Sequence, residues 1–144
     1  MKEAFGGTFT LKLLMVFFVV YVTFLGVALN IAKAYRIKNG VINILEQQQF
    51  DINDASRTND VNDIIYAYLY KIPYKVSSET ISDDCKAAAK EAGDSAKYQS
   101  DNGVCIIQYP GNYYKVTVYM YAEFPFLHIS VKLPISGETM SMVK

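Results

Sequence analysis

The sequence predicts an α+β chain: a single N-terminal transmembrane helix, an amphipathic helical stem, and a small C-terminal domain of short helices with a 3–4-stranded antiparallel sheet. Three observations carry that class. Residues 13–32, LLMVFFVVYVTFLGVALNIA, hold no charged side chain. The stretch after them keeps apolar residues at helical spacing, whereas GVCIIQY, YYKVTVYMYAEF and LHISVKL near the end are β-runs. What remains of the 144 residues suffices for one small domain with one core.

The span rests on length. About 20 apolar residues at 1.5 Å of rise each match the roughly 30 Å hydrocarbon core of a bilayer. In lipid the backbone must satisfy its own hydrogen bonds, so a single span has to be helical. A buried core helix is one alternative, but a chain of this size offers little to wrap a helix that is apolar all round. A signal peptide is the other. Its apolar region is shorter, about 7–15 residues, and ends in a small-residue cleavage site. Here AKAYRIKNG follows the run without such a site. A retained span leaves the polar remainder at a membrane surface, and a chain beginning near Asn43 should then be soluble.

Residues 1–12, MKEAFGGTFTLK, form a mildly basic leader. Gly6 and Gly7 are expected to break any helix there, so the continuous helix should start near Thr8 or Thr10. In the stem, residues 33–50, Tyr35, Val41, Ile42 and Leu45 extend the helical pattern begun at Ile31, with Lys33, Arg36, Lys38 and Glu46 elsewhere around the cylinder. One long helix should then have its first half in lipid and its second half packed on the domain. Gly40 is a weak point, worth about 1 kcal/mol relative to alanine in an exposed helix.

The domain covers residues 51–144. Residues 51–60, DINDASRTND, read as a loop, after which Asn59 or Asp60 can N-cap a helix over 61–72 that Pro73 ends. A strand is the alternative, because IIYAYLY is rich in β-formers. Ser82 should N-cap a second helix, with acids in its first turn and Gly93 as its stop. Residues 93–102 are polar and turn-like. Pro110-Gly111-Asn112 makes a hairpin turn, Pro125 a second break, and Pro134 the end of the third β-run. The tail from residue 135 is the candidate fourth, edge strand. In the third run Leu127, Ile129, Val131 and Leu133 share one face, and His128, Ser130 and Lys132 the other. One face should pack on helices and the other stay wet.

Composition limits the chemistry. Net charge is +0, so nothing points to nucleic acid, and no small-molecule substrate is expected. Cys85 and Cys105 are the only cysteines and both lie in the polar part, which suggests a disulfide and an oxidising location; two separate buried thiols are the alternative. His128 is the sole imidazole, and pairing of the cysteines would remove any Cys–His nucleophile. Asp51, Asn53 and Asp54 have calcium-like spacing, but the glycine and terminal glutamate of an EF-hand are missing. No enzyme, no cofactor and no metal is expected. Among the 12 tyrosines, Tyr113, Tyr119 and Tyr121 are candidates for a partner surface, while filling a helix–sheet seam would explain them equally well.

An apolar N-terminal helix continuing as an amphipathic stem into a compact part that ends in an antiparallel sheet resembles a pilin or pseudopilin. Gly6-Gly7 before the span adds to the likeness, sitting where prepilin peptidases cut in that family. The ending, KVTVYMYAEF leading into FPFL, an apolar strand and PISGETMSM, is similar to TadE-like minor pilins of tight-adherence systems. The likeness covers the N-terminal third and roughly the last thirty residues. One departure stands out: pilins carry a glutamate five residues into the mature chain, and here that place holds Lys12, so poor or no cutting is expected.

The resemblance implies a membrane-anchored structural or assembly component of a cell-surface appendage or secretion system. Its partners would be the lipid bilayer and other pilin-like subunits or assembly platform proteins. Phe17, Phe18, Val20, Phe24 and Leu25 would be helix-contact residues, and Gly26 and Ala28 the small sites permitting close approach. A membrane-tethered binding module with a tyrosine-rich face is the rival reading. Lys33, Arg36 and Lys38 after the span nearly balance Lys2, Lys12 and the amino terminus before it. The cysteine pair and the resemblance tip the orientation to a cytoplasmic N-terminus and an extracytoplasmic domain.

Overall fold

A computed structural model describes residues 2–72, 78–94, 96–101, 103–124 and 128–141. Pro73, Pro125, Leu127 and the FPFL junction beyond Phe124, all singled out in the sequence, lie outside the described residues. The first element is one unbroken helix, α1 (Lys2–Gln47). It runs through Gly6 and Gly7, where a break was expected. Each glycine costs about 1 kcal/mol against alanine, too little to stop a helix whose neighbours favour continuing it. The helix ends in a Schellman motif. Gln49 takes a left-handed φ of 48°, the Phe50 amide donates to the Leu45 carbonyl at 3.0 Å, and the Gln49 amide donates to that of Glu46 at 3.3 Å. Buried Phe50 and Leu45 supply the apolar contact that accompanies this cap.

α2 (Ala55–Tyr70) starts well before the expected Asn59 or Asp60, because Asp54 is the N-cap. Its carboxylate accepts from the amides of Ser56 at 3.1 Å and Arg57 at 3.5 Å. α3 (Ser78–Ala92) likewise begins ahead of Ser82, which lies inside it, and stops as expected at Gly93, whose φ is 142°.

The strands are β1 (Tyr98–Asp101), β2 (Val104–Tyr109), β3 (Tyr113–Phe124) and β4 (Ile129–Glu138). They form an antiparallel meander in the order β1-β2-β3-β4. Two corrections follow. The fourth strand is the polar Tyr98–Asp101 segment that had read as a turn, not the tail. The tail instead lengthens β4 straight through Pro134, which an edge strand tolerates because its missing N–H is not needed for pairing.

Alternation along β3 gives the sheet two packed faces. Tyr114, Val116, Val118, Met120 and Ala122 meet the α1 residues Ala34, Ile37, Val41 and Leu45, with Val61 and Ile65 of α2 alongside. Odd positions point the other way, and there Cys105, Ile107 and Tyr119 pack under Cys85 and Ala89 of α3. The second face is therefore covered at β2 and β3 by a short, alanine-rich apolar stripe of α3. In β4, where a wet face was expected, Ser130 is exposed, and Ile129 and Val131 on the face expected to pack are exposed as well.

Two glycines set the helix packing. A Cβ at Gly40 would overlap the Tyr68 phenol, whose hydroxyl donates to the Arg36 carbonyl of α1 at 3.2 Å. A Cβ at Gly137 would come within 3.0 Å of Ile42 and Lys38. Gly40 is thus the point where α2 rests on the backbone of α1.

Candidate assembly site on the first helix

α1 is one helix with two environments. From Ala34 onward every third or fourth side chain, Ala34, Ile37, Val41 and Leu45, is buried against the sheet. From Phe5 to Leu29 the large apolar side chains other than Val27 are bare, with exposures from 37% at Val19 to 80% at Phe5. Water does not tolerate an apolar surface of this extent on a stable monomer, so it marks a lipid or protein contact. The helix is long and apolar enough to cross a membrane. Its hydroxyls suit that setting. Thr10 donates to the Gly6 carbonyl at 2.8 Å and Thr23 to that of Val19 at 2.9 Å, so both bond within the helix.

Phe17, Phe18, Val20, Phe24, Leu25, Gly26 and Ala28, the expected contact residues, all lie exposed on this part. Gly26 has open space around it, as do Gly6 and Gly7. Val19, Thr23, Val27 and Ile31 are less exposed than their neighbours and form the stripe of α1 that turns toward the sheet. Periodicity could have found this stripe, but in a run apolar on every side it carries no contrast.

Cys85 and Cys105 form a disulfide across 20 residues of sequence, with Cα atoms 5.6 Å apart, tying α3 to the middle of the sheet. Lys132 of β4 pairs with Asp84 beside it, and its ammonium lies 5.7 Å from the Tyr119 ring centroid. Lys132 had been assigned to a wet face and the acids near residue 84 to a helix start, since nothing in the sequence brings position 84 to position 132.

The tyrosine candidates do not converge. Tyr119 is 6% exposed within the α3 cluster, which removes it from any partner surface, and burial raises its pKa. Tyr113 is half-buried and stacked on Tyr109 with centroids 5.3 Å apart. Tyr121 lies eight residues further along the strand, on the order of 26 Å away.

His128 is exposed, with φ 48°, and both cysteines are bonded, so no Cys–His pair exists among the described residues. The calcium-like acids are already engaged: Asp54 caps α2, and Asp51 accepts from the Asn53 amide at 3.0 Å. Among the described residues no group of three His, Cys, Asp or Glu could hold a metal ion. Compared with protein-family models, curated proteins and solved structures, the chain matches none.

Proposed function

We propose that this protein is a membrane-anchored, pilin-like structural component of a cell-surface appendage or secretion machine of the tight-adherence type. The division of α1 supports the reading: one unbroken helix is bare and apolar at first, then forms part of the core of a small sheet domain. A tether alone needs no rigid continuation into the core of the domain it holds. Rigidity matters where head and anchor must keep one geometry, as in a packed array of subunits. The disulfide fits a domain outside the cytoplasm, with the N-terminus inside. Phe17, Phe18, Val20, Phe24 and Leu25 then meet other pilin-like subunits or an assembly platform protein, and Gly26 and Ala28 allow close approach. The rival reading, a binding module with a tyrosine-rich face, loses ground because Tyr119 is buried and Tyr113 and Tyr121 lie far apart.

Because the native cysteines are bonded, a cysteine introduced at Phe17, Val20, Phe24 or Ala28 is a free probe for crosslinking in native membranes. Dimers from single positions on one stripe of α1 are expected, and higher ladders from a chain that carries two such cysteines. Monomer at every position would overturn the assembly reading.

A further inference from the structure

The lower end of the sheet raises a question of depth. Phe124, the last residue of β3, shares an apolar groove with Val16, Val19, Val20, Thr23 and Phe24 of α1. Opposite Phe124 in the ladder is Ile129, and Val131 is on the same face. Ile129 is 50% exposed and Val131 37%, so packing within the chain leaves both partly open. The bare half of α1 and this end of the sheet thus make one continuous apolar surface.

Charges fix where that surface sits. Lys12 and Lys33, both exposed, bracket the uncharged run. The roughly 20 residues between them give about 30 Å of helix, one hydrocarbon thickness. Phe24 is eight residues below Ala32, so the groove holding Phe124 begins about 12 Å under the outer boundary of the run. Holding the sheet clear of lipid would move that boundary below Phe24 and draw Lys12 toward the middle of the bilayer, where a lysine is strongly disfavoured. Snorkelling by Lys12 allows a shift of about one turn, near 5 Å. Some 7 Å of immersion remains, within the roughly 5–10 Å depth at which interfacial apolar faces rest.

We infer that the Phe124–Ile129 end of the sheet is a second membrane-contact element, with Phe124, Ile129 and Val131 against the acyl chains of the adjoining leaflet. The inference rests on the membrane reading of α1. The domain is seated in the bilayer surface and does not stand above it. The other face of the same strands carries Ser130 and Lys132, and Lys132 is paired with Asp84 of α3. That face sets the limit of immersion, because the outer edge of β4 keeps backbone groups that need water or headgroups.

The chain contains no tryptophan, so one introduced indole reports its own depth. Full-length Ile129→Trp, Phe18→Trp and Met140→Trp would each be reconstituted into phosphatidylcholine vesicles with or without bromine on the acyl chains. Val131→Trp repeats the test if the first change disturbs the hairpin. Blue-shifted emission from Ile129→Trp that brominated lipid quenches strongly is expected, with Met140→Trp near the distal end emitting as in water. Ile129→Trp quenched only by aqueous iodide, or blue-shifted yet indifferent to bromine and therefore covered by protein, would overturn the inference while Phe18→Trp remained quenched. No bromine quenching of Phe18→Trp would overturn the membrane reading itself.

Discussion

At position 40 two effects oppose each other. Alanine there gains about 1 kcal/mol of helix propensity, but its Cβ overlaps the Tyr68 phenol and displaces the hydroxyl from the Arg36 carbonyl. Lost packing and a lost hydrogen bond together amount to about 2–3 kcal/mol, so packing wins. Gly40→Ala should therefore destabilise by about 1–2 kcal/mol in micelles, while in a Tyr68→Ala background it should stabilise by roughly 0.5–1 kcal/mol. Unfolding melts of the four proteins decide it; one sign in both backgrounds would show that Tyr68 is not the reason for the glycine. Tyr119 gives a second residue-scale prediction. Burial raises its pKa from the ordinary 10.0, so the folded protein holds this proton more tightly than the unfolded chain. Its contribution is complete below the unfolded pKa and is lost as pH rises from there through the raised folded value. Tyr119→Phe should flatten the alkaline fall of the melting temperature relative to wild type. Parallel curves for the two proteins would contradict it.

At the scale of elements the disulfide has the largest expected effect. Among its described side chains α3 offers the sheet small apolar residues, chiefly Ala88, Ala89 and Ala92 around the Cys85–Cys105 link. Closing a loop of about 20 residues removes roughly 3 kcal/mol of unfolded-chain entropy, a large share of the 5–15 kcal/mol of a typical domain. Cys85→Ser and Cys105→Ser should each cost about 2–4 kcal/mol, and the double variant little more than either. Additive losses in micelle melts would mean two independent packing defects instead. The same element shows what the sequence could and could not reveal. The two cysteines and Gly93 announced the link and the helix stop, because each acts through its own chemistry. β2 and β3 were legible because alternation and the Pro110-Gly111-Asn112 turn act locally. β1 was not, since YQSD has no pattern of its own. It becomes a strand by pairing Ser100 with Cys105 across the Gly103 turn, with Gln99 bonded to Asn62 of α2. The start of α2 was hidden for a different reason: in a polar run several residues can cap, and here the Asp54 carboxylate takes the Ser56 and Arg57 amides.

For the whole molecule the question is where the anchor ends and the domain begins. Amphipathic spacing suggested that the second half of the long helix packs on the domain, and Ala34, Ile37 and Val41 are indeed wholly buried against β3. The expectation of a soluble chain starting near Asn43 sits badly with that packing, because such a chain leaves these three core residues out. Burying an isoleucine or valine contributes about 1.5–3 kcal/mol, so losing Ile37 and Val41 together approaches the stability of a small domain. The bare surface ends earlier in the helix, where Val27 and Ile31 begin to pack on the core. Interrupting the anchor without touching the core is therefore possible. Val20→Arg places a charge near mid-span at a cost of about 2.5–3.5 kcal/mol and should move the protein toward the soluble fraction with its disulfide intact. Two truncations then locate the boundary. A chain beginning at Val27 should be soluble without detergent, retain the Cys85–Cys105 link, and melt cooperatively, since it keeps every buried residue of α1. One beginning at Asn43 should aggregate or show no cooperative transition, because the sheet face lined by Val116, Val118 and Met120 is left without its helix. Circular dichroism melts and thiol titration under denaturing, non-reducing conditions compare them directly. A folded, disulfide-bonded protein starting at Asn43 would return the segment from Ala34 to Val41 to the role of a stalk, and would take away the rigid junction from which the assembly reading is argued.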